Sequence, residues 1–262
     1  MGLYFVIVGY YFLIFAFFLL MRFRTSKRLY WLFFSFLFLF LAAGRVFFIG
    51  YYFFIPELEG RMSNAALGST LMLWYRLATF FSWLAVACLM GVLGILLFPP
   101  DPEIDQKTEP KESKLIVLTP NLKILLRLVL IAIPVLVGIL ALILPDNLFM
   151  DPEIVEKYDL NVKLITIWGY PLGRFVLNFI LVPLFTAAVP LLFIYLAIKT
   201  YGVLRKSYAL NAIGFFLYYT GRVLQGVFEV LNWPHFQSTI PPLIILLSLL
   251  IIVIANNYEQ LK

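Results

Sequence analysis

The sequence predicts an all-α polytopic membrane protein, a single domain of seven transmembrane helices within residues 1–262. Hydrophobic residues make up 63% of the chain and charged residues 13%, whereas soluble domains average about 45–50% apolar and about 25% charged residues. Seven apolar stretches also reach the ~20 residues that a helix needs to cross a bilayer. A soluble enzyme of this size has no means of covering so much apolar surface, so we exclude that class.

Each predicted helix is an apolar stretch of at least bilayer length. The first stretch has no basic residue before it and ends in Met21-Arg22-Phe23-Arg24 without a small-residue cleavage site, so we expect a retained helix and no signal peptide. The second, third and fifth stretches are long, which indicates tilt or extension past the bilayer. In chain order the predicted helices are 3–21, 29–55, 67–98, 121–145, 171–198, 207–231 and 239–257.

The distribution of Lys and Arg predicts the orientation of the helices. Thirteen of the 20 basic residues lie on one side of the predicted bundle. The two short turns on that side, 22–28 and 199–206, are rich in basic residues and contain no acidic one. Because cytoplasmic connections carry the excess of positive charge, we expect the N-terminus outside and the C-terminus inside. The predicted location is the cell membrane, with several passes.

Two connections are long enough to form loops. Residues 99–120 are charged and proline-rich, which is typical of a mobile cytoplasmic loop. Residues 146–170 form the predicted outer loop, and their segment 152–160 favours one short helical turn. We expect membrane lipids as partners, and a cytoplasmic or membrane protein partner through 22–28, 99–120 and 199–206. The net charge of +6 is what membrane topology requires, so we expect no nucleic acid partner.

The second and sixth predicted helices share a Gly-Arg-Val sequence at similar positions. In each case a basic turn precedes the helix, and its last basic residue lies 17 residues before Arg45 and 16 residues before Arg222. Helices 1–3 and 5–7 are therefore candidates for parallel repeats in a 3+1+3 arrangement, with helix 4 inverting the topology between them. Chance matches in a compositionally biased sequence are the alternative.

Five ionisable side chains in predicted helices 2, 3, 5 and 6 fall in one layer, and such intramembrane groups are costly and usually functional. At ~1.5 Å of rise per residue, Arg45 and Arg222 lie at similar depths in the outer half of their helices. Arg76 reaches the same level although the third helix runs in the opposite direction. Arg174 and Glu229 lie nearer the outer ends of their helices.

Polar neighbours extend this layer, and on the sixth helix one face, with i, i+4, i+7 and i+11 spacing, holds Tyr218, Arg222, Gln225 and Glu229. Guanidinium forks suit carboxylates and phosphates, so four arginines against one glutamate indicate an anionic group or a lipid headgroup as the ligand. We expect Arg45, Arg76 and Arg222 to converge on an outer-half cavity with Glu229 at its rim. The full predicted ligand-binding set is Arg45, Arg76, Thr79, Arg174, Asn178, Tyr218, Arg222, Gln225 and Glu229.

Two other interpretations of these charges are open. Glu229 paired with Arg222 or Arg45 would form a structural ion-pair network that fastens helices together. Arginines near helix ends also reach lipid phosphates by snorkelling without forming a site, an interpretation that suits Arg174.

The sequence lacks the residue patterns of several common catalytic and phosphate-binding sites. There is no Ser/His/Asp set, no pair of intramembrane carboxylates and no glycine-rich phosphate loop, so we expect a protein that is not an enzyme. A single Cys, Cys88, allows no internal disulfide, and a single His, His235, cannot provide the paired axial ligands of a haem or a His-rich metal site. We therefore expect neither a metal nor a haem.

At the level of topology, seven helices with an outer N-terminus resemble the opsin and receptor-like class over the whole chain. They also look like uncharacterised archaeal and bacterial seven-helix domains, some of which are sensors. Microbial rhodopsins carry a retinal-binding lysine in their last helix, whereas the segment from Pro241 to Asn256 contains no lysine, so retinal is not expected. The 3+1+3 arrangement is similar to sugar transporters of the SWEET type, but their proline-glutamine motif is absent.

Three classes of function follow from these observations. A receptor or sensor that binds an anionic group is favoured by the arginines of the outer layer. A small-solute transporter is the main alternative, because parallel repeats are common in that class. The short loops also permit a structural subunit of a membrane complex.

Overall fold

The computed structural model describes residues 2–98, 119–231 and 233–257. Within these ranges the chain forms seven long helices, and the predicted cytoplasmic loop 99–120 lies outside the described residues except for its last two. In chain order the helices are α1 (Gly2–Ser26), α2 (Leu29–Leu58), α3 (Asn64–Leu97), α4 (Pro120–Ile143), α5 (Leu172–Lys199), α6 (Gly202–Val230) and α7 (Pro234–Asn257).

Six of these helices, all except α6, are long and apolar enough to cross a membrane. The predicted class, an all-α membrane protein with several membrane-spanning helices, is therefore confirmed. Helix α6 has 29 residues, about 43 Å at 1.5 Å of rise per residue, but it carries more polar side chains. Membrane crossing by α6, and with it the number seven, stays a prediction.

Several helices begin earlier than predicted, because their first turns contain polar or proline residues that apolar length does not reveal. Helix α3 begins at Asn64, where the Ser63 hydroxyl accepts a hydrogen bond from the Ala66 N–H, a typical N-cap. Helix α6 begins at Gly202, where 207 was predicted, and α7 begins at Pro234, where 239 was predicted. Proline is well tolerated in a first helical turn, because its missing N–H has no partner there.

The connection between α4 and α5 is more ordered than a simple loop. A short helix, Pro152–Lys157, occupies the expected segment 152–160, and another covers Asp146–Phe149. An antiparallel hairpin of β1 (Thr166–Ile167) and β2 (Tyr170–Pro171) follows. The sequence analysis missed this hairpin because two-residue strands give no periodic signal. Its turn is recognisable afterwards, since Trp168 and Gly169 both have positive φ, 51° and 80°.

The seven helices pack as two groups of three with α4 beside them. Helices α1, α2 and α3 pack in succession, as do α5, α6 and α7, and contacts of α3 with α5 and of α1 with α7 join the groups. Helix α4 packs mainly on α3. This layout agrees with a 3+1+3 grouping, but a common origin of the two groups stays a prediction.

Two apolar cores lie at opposite ends of the bundle. We call the end that carries residues 144–171 the loop end, and the end with the α1–α2 and α5–α6 connections the turn end. The turn-end core contains Phe18, Phe34 and Phe215, with ring centroids 5.0 Å apart for the first two. The loop-end core contains Tyr75 and Phe149, whose rings meet edge to face.

Three of the helices include a π-helical segment, an irregularity that often occurs near functional sites. The segments are Phe18–Phe23 in α1, Gly50–Phe54 in α2 and Phe175–Leu181 in α5. The last two lie towards the loop end. Gly50 begins the segment of α2 and packs directly on the ring of Trp74, where a Cβ would lie 2.1 Å from ring carbons.

We expect Gly50→Ala to lower the free energy of unfolding by about 1–3 kcal/mol, because overpacking forces the Trp74 ring or the helix to shift. Gly9→Ala in α1 is the matched control, since a Cβ there has no atom within 4 Å. Thermal unfolding of both variants in one detergent measures the difference. Equal melting temperatures for the two variants would contradict the close packing of α2 on α3.

Candidate functional site

A cavity of about 240 Å³ lies among α2, α3, α5 and α6, beneath the hairpin that precedes α5. Its polar lining residues are Tyr52, Tyr75, Thr79, Ser82, Tyr170, Asn178, Thr186, Tyr219, Arg222 and Gln225. Its apolar lining includes the aromatic Phe48, Trp83 and Phe179 and the non-aromatic Val182, Pro183, Val223 and Gly226. The cavity therefore combines ring faces with hydrogen-bonding groups, the usual composition of a small-molecule site.

Arg222 carries the only formal charge among the lining residues that the structure describes. Its side chain is half-buried and has no hydrogen-bond or ion-pair partner among the described side chains. The Glu229 side chain, predicted at the cavity rim, lies outside the described part of the structure. Arg222 thus presents a guanidinium to a largely aromatic enclosure.

Helix α6 faces the cavity along a slightly different stripe from the predicted one. Tyr219, Arg222 and Gln225 line the cavity, together with Val223 and Gly226. Tyr218 was predicted as a binding residue, but it is buried in the turn-end core. Which of two adjacent residues of α6 faces the cavity depends on the direction from which the neighbouring helices pack. Residue spacing along the sequence contains no information about that direction.

The amide and hydroxyl groups of the cavity offer both donors and acceptors. The Asn178 amide donates one hydrogen bond to the Tyr75 hydroxyl, at 2.9 Å, and an amide NH₂ has a second proton to give. The hydroxyls of Thr79, Ser82 and Thr186 donate to carbonyls of their own helices, at 2.9, 2.8 and 2.7 Å. Their protons are therefore engaged, so the hydroxyl oxygens of these lining residues keep only acceptor capacity.

Arg45 is buried in the bundle interior, is 4% exposed and is not among the residues that line the cavity. Its guanidinium carbon stands 5.2 Å from the centroid of the Tyr4 ring. The Nη1 atom of Arg45 has no hydrogen-bond partner among the described residues, so positive charge in this region exceeds its visible compensation.

Arg76 belongs to a different arrangement, at the end of α4. It donates to the carbonyl of Leu142, at 2.6 Å, and to that of Leu144, and it pairs with the Asp146 carboxylate at 2.6 Å. These acceptors include terminal carbonyls of α4 that have no partner within that helix. Arg76 therefore caps α4 and ties it to α3.

Arg174 is an internal tie and is 1% exposed. It donates to the Phe149 carbonyl, pairs with Asp151 at 3.1 Å and donates to the Tyr51 hydroxyl at 3.3 Å. Its guanidinium carbon also stands 3.7 Å from the centroid of the Tyr75 ring. Snorkelling to lipid, one interpretation of this residue, is wrong, because its partners are all within the protein.

The expected convergence of three arginines on one cavity is therefore wrong in part. Arg222 lines the cavity, Arg45 is buried without lining it, and Arg76 is engaged by the end of α4 and the segment that follows. Depth along a helix axis does not predict the direction of a side chain around that axis. Of the predicted set, the structure brings together Thr79, Asn178, Arg222 and Gln225.

Sequence reasoning missed several lining residues, among them Thr186 and Phe179. A signal for some of them exists in helical spacing, since Tyr75, Thr79, Ser82 and Trp83 follow i, i+4, i+7 and i+8. The buried indole N–H of Trp83 has no acceptor among the described residues. Helical spacing does not identify the cavity-lining residues of α5, because the π-helical segment changes which residues share one side of that helix.

An exposed ion pair ties the α2–α3 connection to the short helix Pro152–Lys157. The Lys157 ammonium lies 2.8 Å from the Glu59 carboxylate. The hydrogen bond to Glu59, followed by that to the Tyr158 hydroxyl, raises the pKa of Lys157 above its ordinary value. Exposed pairs of this kind contribute little to stability, so the buried arginines are the stronger ties.

These features define an all-α, membrane-embedded protein with an arginine-containing cavity among its helices. Within the described ranges, no group of three or more His, Cys, Asp or Glu residues could hold a metal ion. No protein-family model, curated protein or solved structure matches this chain. Functional inference therefore depends on the chemistry of the cavity.

We expect Arg174→Gln to lower the free energy of unfolding by about 3 kcal/mol, because it removes one partner of a buried pair and leaves the Phe149 carbonyl without its donor. Amide hydrogen exchange over residues 144–151 should accelerate, since local opening becomes easier. Lys163→Gln removes an exposed charge from the same connection and is the control. A melting temperature for Arg174→Gln equal to that of the control would contradict the structural role.

Proposed function

We propose that the protein is a receptor-like or sensor-like binding protein of the cell membrane that takes an anionic group at Arg222. The observation that carries this proposal is a half-buried guanidinium, without a described partner, in an otherwise uncharged and largely aromatic cavity. The anionic group belongs either to a small solute or to a lipid headgroup. No catalytic step is part of the proposal.

Electrostatics give the reason for an anion. A charged group that has left bulk water needs compensation, and hydrogen bonds to charged groups contribute about 1.5–3 kcal/mol each. Arg45 is a second buried guanidinium in the bundle interior, and its Nη1 atom has no hydrogen-bond partner among the described residues.

The membrane topology proposed for this function has seven spans, with the N-terminus outside and the C-terminus inside. Helix α5 is long and apolar enough to span, and only Thr200 and Tyr201 separate it from α6. Helix α6 packs on α5 and on α7, so the short connection returns the chain across the same layer. In this orientation the cavity lies in the outer half of the membrane.

A small-solute transporter is the second candidate, and one specific observation favours it. Helix α5 lines the cavity with Pro183 among other residues, and it also contains Pro190 and the π-helical segment Phe175–Leu181. Proline and π-helical segments are common causes of helix bending. Movement of α5 would change access to the cavity, and solute uptake into proteoliposomes distinguishes a transporter from a receptor.

Orientation is tested with single cysteines at Asn161 and Thr25, both exposed, in a Cys88→Ala background. We expect a membrane-impermeant maleimide added to intact cells to label Asn161→Cys and to leave Thr25→Cys unlabelled until the membrane is permeabilised. The reason is the excess of basic residues in the 22–28 turn. Labelling of Thr25→Cys in intact cells would overturn the proposed orientation.

Anion binding is tested by the acetate dependence of the melting temperature in nanodiscs of neutral phosphatidylcholine. Acetate should stabilise the wild-type protein, because a ligand of the folded state raises its stability. We expect Arg222→Gln to weaken acetate binding at least tenfold and Arg222→Lys to weaken it less, since lysine keeps the charge and loses the fork. In the absence of anion, Arg222→Gln should melt at the wild-type temperature or above it.

Lys163→Gln is the matched control for this measurement, because it removes one exposed positive charge that is not part of the cavity lining. Nanodiscs that contain anionic phosphatidylglycerol distinguish the source of the anionic group. If phosphatidylglycerol stabilises the wild type and removes its response to acetate, but has no such effect on Arg222→Gln, the ligand is a lipid headgroup. Equal responses of Arg222→Gln and Lys163→Gln to both anions would overturn the proposal.

A further inference from the structure

We infer that the cavity takes a small aromatic monocarboxylate that carries an N–H or O–H donor on its ring system. This inference rests on the proposed anion site at Arg222 and deepens it by naming the class of ligand. Three independent properties of the lining lead to it: its charge, its aromatic walls and the hydrogen-bonding state of its hydroxyls.

The charge of the lining favours a single negative charge in the ligand. Arg222 is the only cationic lining residue in the described structure, whereas a phosphate monoester carries about −1.5 to −2 at neutral pH. A carboxylate carries one charge, and its two oxygens match the two parallel N–H groups of a guanidinium fork. The second amide proton of Asn178 and the amide of Gln225 are additional donors on α5 and α6.

The walls favour a flat, unsaturated ligand body. Phe48, Trp83, Phe179 and Tyr219 come from four different helices and surround the same space. Aromatic groups prefer offset or edge-to-face contact with other rings, which stabilises each pair by about 0.5–1.5 kcal/mol beyond surface burial. An apolar cavity of about 150 Å³ accommodates benzene, so about 240 Å³ has room for a bicyclic ring with a short carboxylate arm.

The hydroxyl groups of α3 and α5 favour a donor on the ring. Thr79 and Thr186 are 2% and 5% exposed, and together with Ser82 they have already donated their protons to backbone carbonyls. Their oxygens can therefore accept from a ligand but do not donate to it. Each hydrogen bond that a ligand N–H or O–H makes to such an acceptor contributes about 0.5–1.5 kcal/mol net, so a ligand with a donor binds more tightly than one without.

The inference predicts an order of affinities for simple probes. In neutral phosphatidylcholine nanodiscs, indoleacetate should bind at least tenfold more tightly than acetate, because its ring fills the aromatic enclosure. Naphthaleneacetate and N-methylated indoleacetate, which lack the N–H, should bind about fivefold more weakly than indoleacetate. Indole without a carboxylate should bind independently of Arg222. Isothermal titration calorimetry measures each dissociation constant.

Variants assign each contribution to a residue. Phe179→Leu should weaken indoleacetate binding and leave acetate binding unchanged. Phe216→Leu is its control, because Phe216 on α6 is 56% exposed and does not line the cavity. Thr186→Val should remove the preference for indoleacetate over its N-methylated form. Thr186→Ser retains the hydroxyl and should retain the preference, which separates loss of an acceptor from loss of packing or folding.

The outcomes distinguish this inference from the function on which it rests. If acetate and indoleacetate bind equally and both depend on Arg222, the aromatic class is wrong and the anion site stands. If indoleacetate and its N-methylated form bind equally to the wild type, the ring donor is wrong. If no probe binds in an Arg222-dependent manner, in neutral or in phosphatidylglycerol nanodiscs, both proposals fail.

Discussion

The high free energy of a charged group inside a membrane is the constraint on which the rest of this structure depends. Charged side chains at the bilayer centre are costly, and they persist where protein groups or water compensate them. The chain carries four arginines near its loop end, and they form two pairs with different surroundings. Arg76 and Arg174 are paired with carboxylates and backbone carbonyls, whereas Arg45 stands against the Tyr4 ring and Arg222 lines the cavity.

The first pair explains why the connection between α4 and α5 is ordered. Arg76 donates hydrogen bonds to carbonyls at the end of α4 and to the Asp146 carboxylate. Arg174 donates to the Phe149 carbonyl and to the Asp151 carboxylate. Each bond compensates a buried charge and also satisfies a backbone or carboxylate acceptor. As a result, the segment 144–151 packs over the helices at the loop end and contributes Phe149 to their core.

The second pair explains why a cavity exists beside this core. Helix α5 changes its face through the segment Phe175–Leu181, which directs Asn178 and Phe179 to the same space as Arg222. Tyr75 is common to both arrangements, because it lies against the Arg174 guanidinium, accepts from Asn178 and lines the cavity. The ordered loop end and the cavity therefore share one wall.

The sequence by itself determined the membrane class and the approximate extents of the long helices, because apolar length is a property of consecutive residues. It also identified a subset of the cavity lining, including Thr79, Asn178 and Gln225. Only the tertiary structure decided which arginine faces the cavity. The partners of Arg76 and Arg174 are backbone carbonyls and carboxylates of a distant connection, and helical periodicity contains no information about contacts of that kind.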